Sequence, residues 1–258
     1  MWKYGLASVA GTAHVKSSVP LQDFSVAELI LDSRGEEVFI AIASDGAGSA
    51  ANSQVGAKLA CETLLRDLQS HFASGGGLKQ LTKDFVATWI EKFQHLISSF
   101  ATETEMKSQD FACTLLAAIV GKDQAAYFQI GDGAIVESLA GQKDQYSCVC
   151  WPQQGEYANS TNFLTDAAAK EKVFCEVKTG TVDEVALFTD GIQSLVLDYR
   201  NKTAHSPFFT PLFNWLRPRP EGNSKELSVS LTQYLNSEKI NARTDDDKTL
   251  ILATRRKQ

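Results

Sequence analysis

Short apolar runs alternate along this chain with two long stretches of helical period, and the order of the two textures predicts a mixed fold. Leu6 to Ala10 is a small-and-apolar run, and Phe24 to Leu31 alternates before a turn at Asp32-Ser33-Arg34-Gly35. Val38-Phe39-Ile40-Ala41-Ile42-Ala43 is unbroken apolar sequence, the pattern of a strand buried on both faces. The first 45 residues therefore read as strands. After Asp45-Gly46 the period changes. Ala51, Val55 and Leu59 step by four, as do Ala60, Leu64 and Leu68, and Asn52 or Ser53 stands where a helix cap belongs. Beyond the break at Ser74-Gly75-Gly76-Gly77, a second helix carries Phe85, Trp89, Phe93, Ile97 and Phe100 on one face. That spacing is read as core packing.

Strand texture returns at Phe111. Ala112 to Val120, Ala125 to Ile130 and Ala134 to Leu139 are joined by Gly121-Lys122-Asp123-Gln124 and Gly131-Asp132-Gly133, which reads as an antiparallel meander. A polar loop follows from Pro152 to Ser160, and a buried strand from Val185 to Phe188 ends at Asp190-Gly191. The aromatic patch Pro207 to Leu216 reads as a short helix plus loop. Leu227, Leu231, Tyr234 and Leu235 mark a third helix, and Thr249 to Ala253 is the last strand. Strands, two helices, strands, a helix and a final strand give layers of the α+β class. No composition break divides residues 1–258, so one domain is expected.

Composition narrows the function more than the fold. Of the 258 residues 43% are hydrophobic and 22% charged, a globular balance, and a chain this long buries roughly three quarters of its unfolded surface. The net charge of −6 argues against nucleic acid or an anionic membrane as partner. Neither a signal peptide nor an apolar run approaching the ~18 residues of a membrane span is read. The five cysteines, Cys61, Cys113, Cys148, Cys150 and Cys175, lack metal-pair spacing and read as plain buried cysteines of a reduced cytoplasmic protein; Cys148 and Cys150 share a face if that stretch is a strand.

One pattern recurs three times: Ser44-Asp45-Gly46, Gly131-Asp132-Gly133 and Thr189-Asp190-Gly191 each set an Asp-Gly where an apolar strand ends. Asp245-Asp246-Asp247 precedes the final strand, and Asp23 opens an early one. Any one Asp-Gly is a favoured turn dipeptide. As a set, with no Lys or Arg beside Asp45, Asp132 or Asp190, they imply carboxylates that repel unless divalent cations lie between them. Oxygen ligands without clustered His or thiolate suit Mg²⁺ or Mn²⁺, and two such ions can hold phosphoryl oxygens and activate water. Glycine after each Asp would let a carbonyl turn to the ion without a Cβ in the way. Phosphate-ester hydrolysis is the chemistry this implies.

At these residues the chain resembles the protein phosphatase 2C (PPM) family of metal-dependent Ser/Thr phosphatases, in the family's motif order over nearly the whole length. Asp45-Gly46-Ala47-Gly48 is similar to Asp-Gly-x-Gly, Ala112-Cys113-Thr114-Leu115 to Gly/Ala-x-Thr-hydrophobic, and Ile130-Gly131-Asp132-Gly133-Ala134 to Gly-Asp-Ser-Arg without its Arg. Thr189-Asp190-Gly191 resembles Ser-Asp-Gly, and Asp246-Asp247-Lys248-Thr249 resembles Asp-Asn-x-Thr. The bacterial protein phosphatase C subgroup is similar also at Asp110-Phe111-Ala112-Cys113-Thr114, Gly155-Glu156-Tyr157-Ala158-Asn159, Pro207-Phe208-Phe209-Thr210-Pro211 and Thr244 to Thr249. The resemblance implies two antiparallel sheets between helix pairs, a four-layer αββα sandwich. It implies two divalent ions, Mn or Mg, bridged by Asp45 with the Gly46 carbonyl, Asp190 and Asp246 completing the first. Asp132 is the candidate for a third ion, and Asp23 is a further metal-site residue. Asp45, Asp190 and Asp246 would carry catalysis. Phosphorylated proteins are the implied substrates, a cognate Ser/Thr kinase the opposing enzyme, bacterial signalling the setting, and a monomer the expected state.

Departures from the pattern define what to look for. The family's Arg-x-x-x-Glu-Asp is replaced by Ser18-Val19-Pro20-Leu21-Gln22-Asp23, so Lys16, His14 and Arg243 become candidates to bind phosphate. A lone His near a strand end, such as His14, is more often a hydrogen-bonded structural residue than a catalyst. Ala47 stands where many members have a general-acid His, and Ser194 where a carboxylate for the third ion is common. The segments Gly155 to Phe163 and Phe208 to Trp215 read either as a substrate-facing flap or as covering loops. Two functions follow: an active Mn²⁺/Mg²⁺ phosphatase, or a degenerate member that binds phosphoproteins without turnover.

Overall fold

A computed structural model describes residues 1–154 and 161–257. Two sheets lie face to face. The first has strand order β12-β1-β13-β9-β6-β7, with β1 (Lys3–Val9), β6 (Ala134–Leu139), β7 (Ser147–Cys150), β9 (Val182–Phe188), β12 (Gly222–Asn223) and β13 (Lys248–Thr254). The second runs β2-β3-β4-β5-β8, with β2 (Phe24–Leu31), β3 (Glu37–Ser44), β4 (Leu115–Val120), β5 (Gln124–Ile130) and β8 (Phe174–Thr179). A small hairpin, β10 (Leu197–Asp198) and β11 (Thr203–Ala204), stands apart. The helices are α1 (Thr12–Ser17), α2 (Ser53–Ala73), α3 (Lys83–Glu103), α4 (Ala169–Lys172), α5 (Gln193–Val196), α6 (Ser206–Leu216), α7 (Lys225–Leu235) and α8 (Glu238–Asn241).

Three apolar cores separate four layers, and the period-two alternation of the strands explains them. From β3, Val38, Ile40 and Ile42 face α2 and α3, while Phe39, Ala41 and Ala43 face the other sheet. β4 divides in the same way: Leu115, Ala117 and Ile119 point to the helices, Leu116, Ala118 and Val120 to the sheet interface. In the first sheet, Ala186 and Phe188 of β9 pack under α6 and α7 and Val185 and Leu187 under the second sheet. The expected αββα sandwich is present. The helical stripes also match: Ala60, Leu64 and Leu68 of α2 and Trp89, Phe93 and Ile97 of α3 are buried.

Several local expectations differ. The meander is broken, because β6 leaves the sheet of β4 and β5 and pairs with β9; the Gly131-Asp132-Gly133 turn is the crossing between sheets, with Gly131 at φ +110. Thr12–Ser17 is helical rather than extended, and Phe174–Thr179 adds an edge strand that the sequence reading passed over. Asn52 occupies the N-cap position of α2 but makes no side-chain capping bond; its Nδ2 donates to Met106 Sδ at 3.1 Å. Pro207 to Leu216 is helix throughout, with Phe209 and Phe213 fully buried against the first sheet, so it is a covering element. All five cysteines are free thiols, as expected, but only Cys61 and Cys113 are buried, while Cys148, Cys150 and Cys175 are half-buried.

Strand pairing brings the acidic segments to one end of the sandwich. Phe24 pairs with Ser44, so Asp23 and Asp45 are neighbours across β2 and β3. Leu250 pairs with Phe188, which sets the Asp245–Asp247 loop beside Asp190. Ala134 pairs with Phe188, and so draws in Asp132 as well.

Candidate metal centre

The carboxylates of Asp45, Asp132 and Asp190 converge, with ligand atoms within 4.8 Å of one another. Each is fixed from its backbone. Asp45 N donates to Thr114 Oγ1 at 2.9 Å and Thr114 N to Asp45 O at 2.8 Å, while Ser44 Oγ donates to Thr114 O at 2.6 Å. The bridge between Gly46 and Cys113 continues this pairing, and of these bonds the one to Thr114 Oγ1 is what requires a hydroxyl side chain there. Asp132 is held at the crossing by Gln153, whose Oε1 accepts from Gly131 N at 3.1 Å and whose N donates to Gly131 O at 3.1 Å. Asp190 opens a short turn after β9 and is followed by Gly191, where an added Cβ would lie 1.8 Å from Asp247 O.

That contact revises the reason for the glycines. At Gly46 a Cβ would meet Ser53 Cβ at 2.7 Å and Gln22 O at 2.8 Å, so the residue after each of these aspartates is small because another segment packs onto it. Neither Gly46 nor Gly191 has a positive φ. Close approach is the demand here, and carbonyl freedom is not needed to explain it.

Asp23 stands directly behind the trio. It is 4% exposed, and its Oδ2 accepts from Thr189 Oγ1 and Thr249 Oγ1, both at 2.7 Å. Asp246 and Asp247 divide in role. Asp247 is buried and saturated: Oδ1 accepts from Gly11 N at 2.7 Å, Oδ2 from Gln22 N at 2.6 Å, and His14 Nδ1 lies 2.9 Å from Oδ1. Asp246 is exposed at the rim, its charge felt by Asp45, Asp132 and Asp190; its Oδ1 accepts from Asp247 N at 2.8 Å, which leaves Oδ2 to take a ligand. The tightest trio thus contains Asp132 rather than Asp246, because Asp246 rides on an exposed loop. Gln22 is 4% exposed with Oε1 unpartnered among the described residues, 4.0 Å from where Gly48 would carry a Cβ.

Of the phosphate-binding candidates, His14 is tied to Asp247, whereas Lys16 and Arg243 are exposed. Ser194 is exposed too, and Ala47 packs with Ala50, Ala112 and Phe163 beside the Asp45 loop. Gly155 to Ser160 lies outside the described residues, and with it that part of the flap reading. Lys248 was missed by the sequence reading. It is fully buried, and its Nζ donates to Asp246 O and Asn241 Oδ1, both at 3.1 Å, so it pins the acidic loop from below. Its signal was present: a lysine inside an otherwise apolar terminal strand, next to three aspartates.

The electrostatics are those of a site built to take cations. Burial, then the charges of Asp23, Asp190 and Asp246, hold the Asp45 carboxyl far above the ordinary range. Burial, then Asp132, Asp246 and Asp23, push Asp190 up to about 8. Burial raises Asp23 to about 6 against the pull of Thr189 and Thr249, and burial raises Asp132. Asp23 Oδ1, Asp132 Oδ1 and Gln22 Oε1 are buried without partners among the described residues. An all-oxygen set with unmet acceptors and mutual repulsion fits hard divalent cations. By contrast, burial pushes the Cys113 and Cys148 thiols up to about 12 and Cys150 to about 11, which suits packing and not nucleophilic work.

A sandwich of two sheets with a carboxylate cluster at one end is a scaffold whose donor set could hold a metal ion. The sequence model of protein phosphatase 2C matches residues 10–236, and the chain belongs to that family. Serine/threonine-protein phosphatase 3 of Escherichia coli (strain K12) is 36% identical over 253 residues, 98% of each chain. A bacterial serine phosphatase crystal structure superimposes with a TM-score of 0.65 at 14% identity, over 100% of this chain and 99% of that one. Stp1 of Staphylococcus aureus gives 0.62 at 13% (99% and 96% covered). The catalytic domain of the phosphatase PstP, in complex with 2 manganese ions, gives 0.61 at 15% (98% and 97% covered). At such identities these structures speak for the fold alone.

Proposed function

We propose that this chain is an active metal-dependent protein serine/threonine phosphatase. The observation that carries the reading is the convergence of ligand atoms of Asp45, Asp132 and Asp190 within 4.8 Å of one another, backed by buried acceptors that have no donor among the described residues. Asp45, Asp190 and Asp246 are the residues that would hold and complete a first divalent ion, with the Gly46 carbonyl and the Gln22 side of Asp45 serving a second and Asp132 a third. When bound, Mn²⁺ or Mg²⁺ supplies neutralisation of the acids, a hold on phosphoryl oxygens and a water acidic enough to attack at neutral pH.

The residues of the chain itself do the positioning. Thr114 sets the Asp45 backbone, Thr189 and Thr249 orient Asp23, and Asp23 Oδ1 is left as an acceptor for a water hydrogen. Lys248 and Asp247 fix the loop that presents Asp246, and Asp247 takes the structural duty that an asparagine has in the family motif. With Ala47 lacking a proton, the leaving alkoxide draws its proton from water. The substrates are phosphoproteins made by a serine/threonine kinase, and residues 1–258 act as one monomeric domain. Five free thiols support a cytoplasmic setting, and no described helix is long and apolar enough to cross a membrane.

The test is turnover of p-nitrophenyl phosphate and a phosphothreonine peptide with Mn²⁺. Hydrolysis that EDTA abolishes supports the reading. Activity that survives chelation refutes it, and tight phosphopeptide binding without turnover by any divalent ion transfers the chain to the degenerate class.

A further inference from the structure

The rim of the acidic site carries an aromatic pair that the metal reading does not use. After Asp190 the chain makes α5 and then the β10–β11 hairpin, whose base is seated in the outer core through Leu197 and Ala204. Its tip is locked: Asp198 Oδ1 accepts from Arg200 N at 3.0 Å and Asn201 N at 3.2 Å, and Oδ2 from Asn201 Nδ2 at 2.7 Å. This rigid turn presents Tyr199 at 49% exposure, the one aromatic among the exposed large hydrophobics of the described residues. Its ring meets Trp151 edge to face, centroids 5.4 Å apart at 83°.

Trp151 leads straight back to the carboxylates. Its carbonyl accepts from Gln129 Nε2 at 3.4 Å, and Gln153, two residues on, clasps the Gly131 backbone next to Asp132. On the other side Tyr199 follows Asp190 on a hairpin anchored by His205 N donating to Val196 O at 2.8 Å. Burial, and then the charges of Asp190 and Asp132, raise the Tyr199 phenol. A large, stiff, amphipathic ring held half in water beside a reactive centre is suited to contact with a second molecule at low entropic cost.

We propose that Tyr199, braced by Trp151, is a substrate-positioning residue whose ring forms the wall on which the peptide chain flanking a phosphoserine or phosphothreonine is laid. This rests on the phosphatase reading above. The wall acts on the peptide and not on the phosphoryl group, so it governs KM for peptides and leaves phosphate binding alone.

The experiment compares wild type, Tyr199→Phe, Tyr199→Ala and Trp151→Ala with Mn²⁺, measuring kcat and KM for a phosphothreonine peptide and Ki for inorganic phosphate. Tyr199→Ala is expected to raise the peptide KM about tenfold, the loss of one aromatic contact at an interface, with kcat and the phosphate Ki within twofold of wild type. Tyr199→Phe keeps the ring and stays near wild type. Trp151→Ala shifts KM in the same direction, and the double variant is less than additive because the two rings act as a unit. An unchanged peptide KM in Tyr199→Ala overturns the proposal, as does an equal loss on peptide and phosphate, which would assign Tyr199 to the metal centre itself. Wild type without turnover on any phosphoester would instead remove the phosphatase reading on which the proposal stands.

Discussion

Asp190→Asn should cripple the enzyme and stabilise the metal-free protein, and the size of the second effect follows from the site. Asp190 titrates near 8 in the folded chain against an ordinary 3.8, through burial and the charges of Asp132, Asp246 and Asp23. A carboxyl ionised in the unfolded chain at pH 7 and protonated in the folded one forfeits about 4 kcal/mol, at about 1.36 kcal/mol per pH unit. The sign is that of a raised folded pKa: the contribution to stability is intact below 3.8 and is lost as pH rises to about 8. Asp45 and Asp132 share the repulsion, so about half, roughly 2 kcal/mol, is the gain expected from asparagine. For a chain of this length that is a Tm rise of roughly 4–8 °C. The assay is calorimetry in EDTA at pH 7 and pH 5, beside Mn²⁺-dependent hydrolysis of p-nitrophenyl phosphate. The gain should shrink below about 1 kcal/mol at pH 5, where less of the penalty operates. A variant less stable than wild type in EDTA at pH 7 would refute the convergence of charge on which the site is built.

Five further outcomes follow. Asp246→Asn should lose Mn²⁺ affinity and turnover with little change in Tm, whereas Asp247→Asn should cost about 1–3 kcal/mol of stability, because the amide keeps one acceptor and turns its NH₂ toward the other of the Gly11 and Gln22 N–H groups, as denaturant melts would show. Gly191→Ala, with its Cβ driven onto Asp247 O, should lower both Tm and turnover; wild-type behaviour would mean the loop yields freely. Gln22→Glu adds a carboxylate beside Asp23 and Asp247, and should tighten the weaker of two Mn²⁺ sites about tenfold by calorimetric titration while lowering Tm in EDTA. Mn²⁺ at 100 times its dissociation constant should raise stability by about 2.7 kcal/mol, and should flatten the pH dependence of Tm.

Much of the layered fold was legible because both strand and helix periods are clean. Val38 to Ala43 and Leu115 to Val120 are apolar on both faces, and the structure puts both faces in cores. The carboxylate cluster was legible as an ordered set of Asp-Gly steps. What the sequence concealed has physical causes. Phe174–Thr179 is a partly exposed edge strand with Glu and Lys on it, so its apolar signal is diluted. The sheet switch at Gly131-Asp132-Gly133 looks locally like a hairpin turn; only the pairing of β6 with β9 distinguishes them. Asp246 and Asp247 are equivalent as letters and differ only through the backbone amides that saturate Asp247. Tyr199 gave no signal because its partner, Trp151, lies far away in the chain.

Anomalous scattering from crystals grown in MnCl₂ tests the central claim most directly. The account predicts manganese peaks bonded to carboxylate oxygens of Asp45 and Asp190, with Asp246 swung in from the rim. Density with Asp45, Asp132 and Asp190 still drawn together and no manganese among them would contradict it.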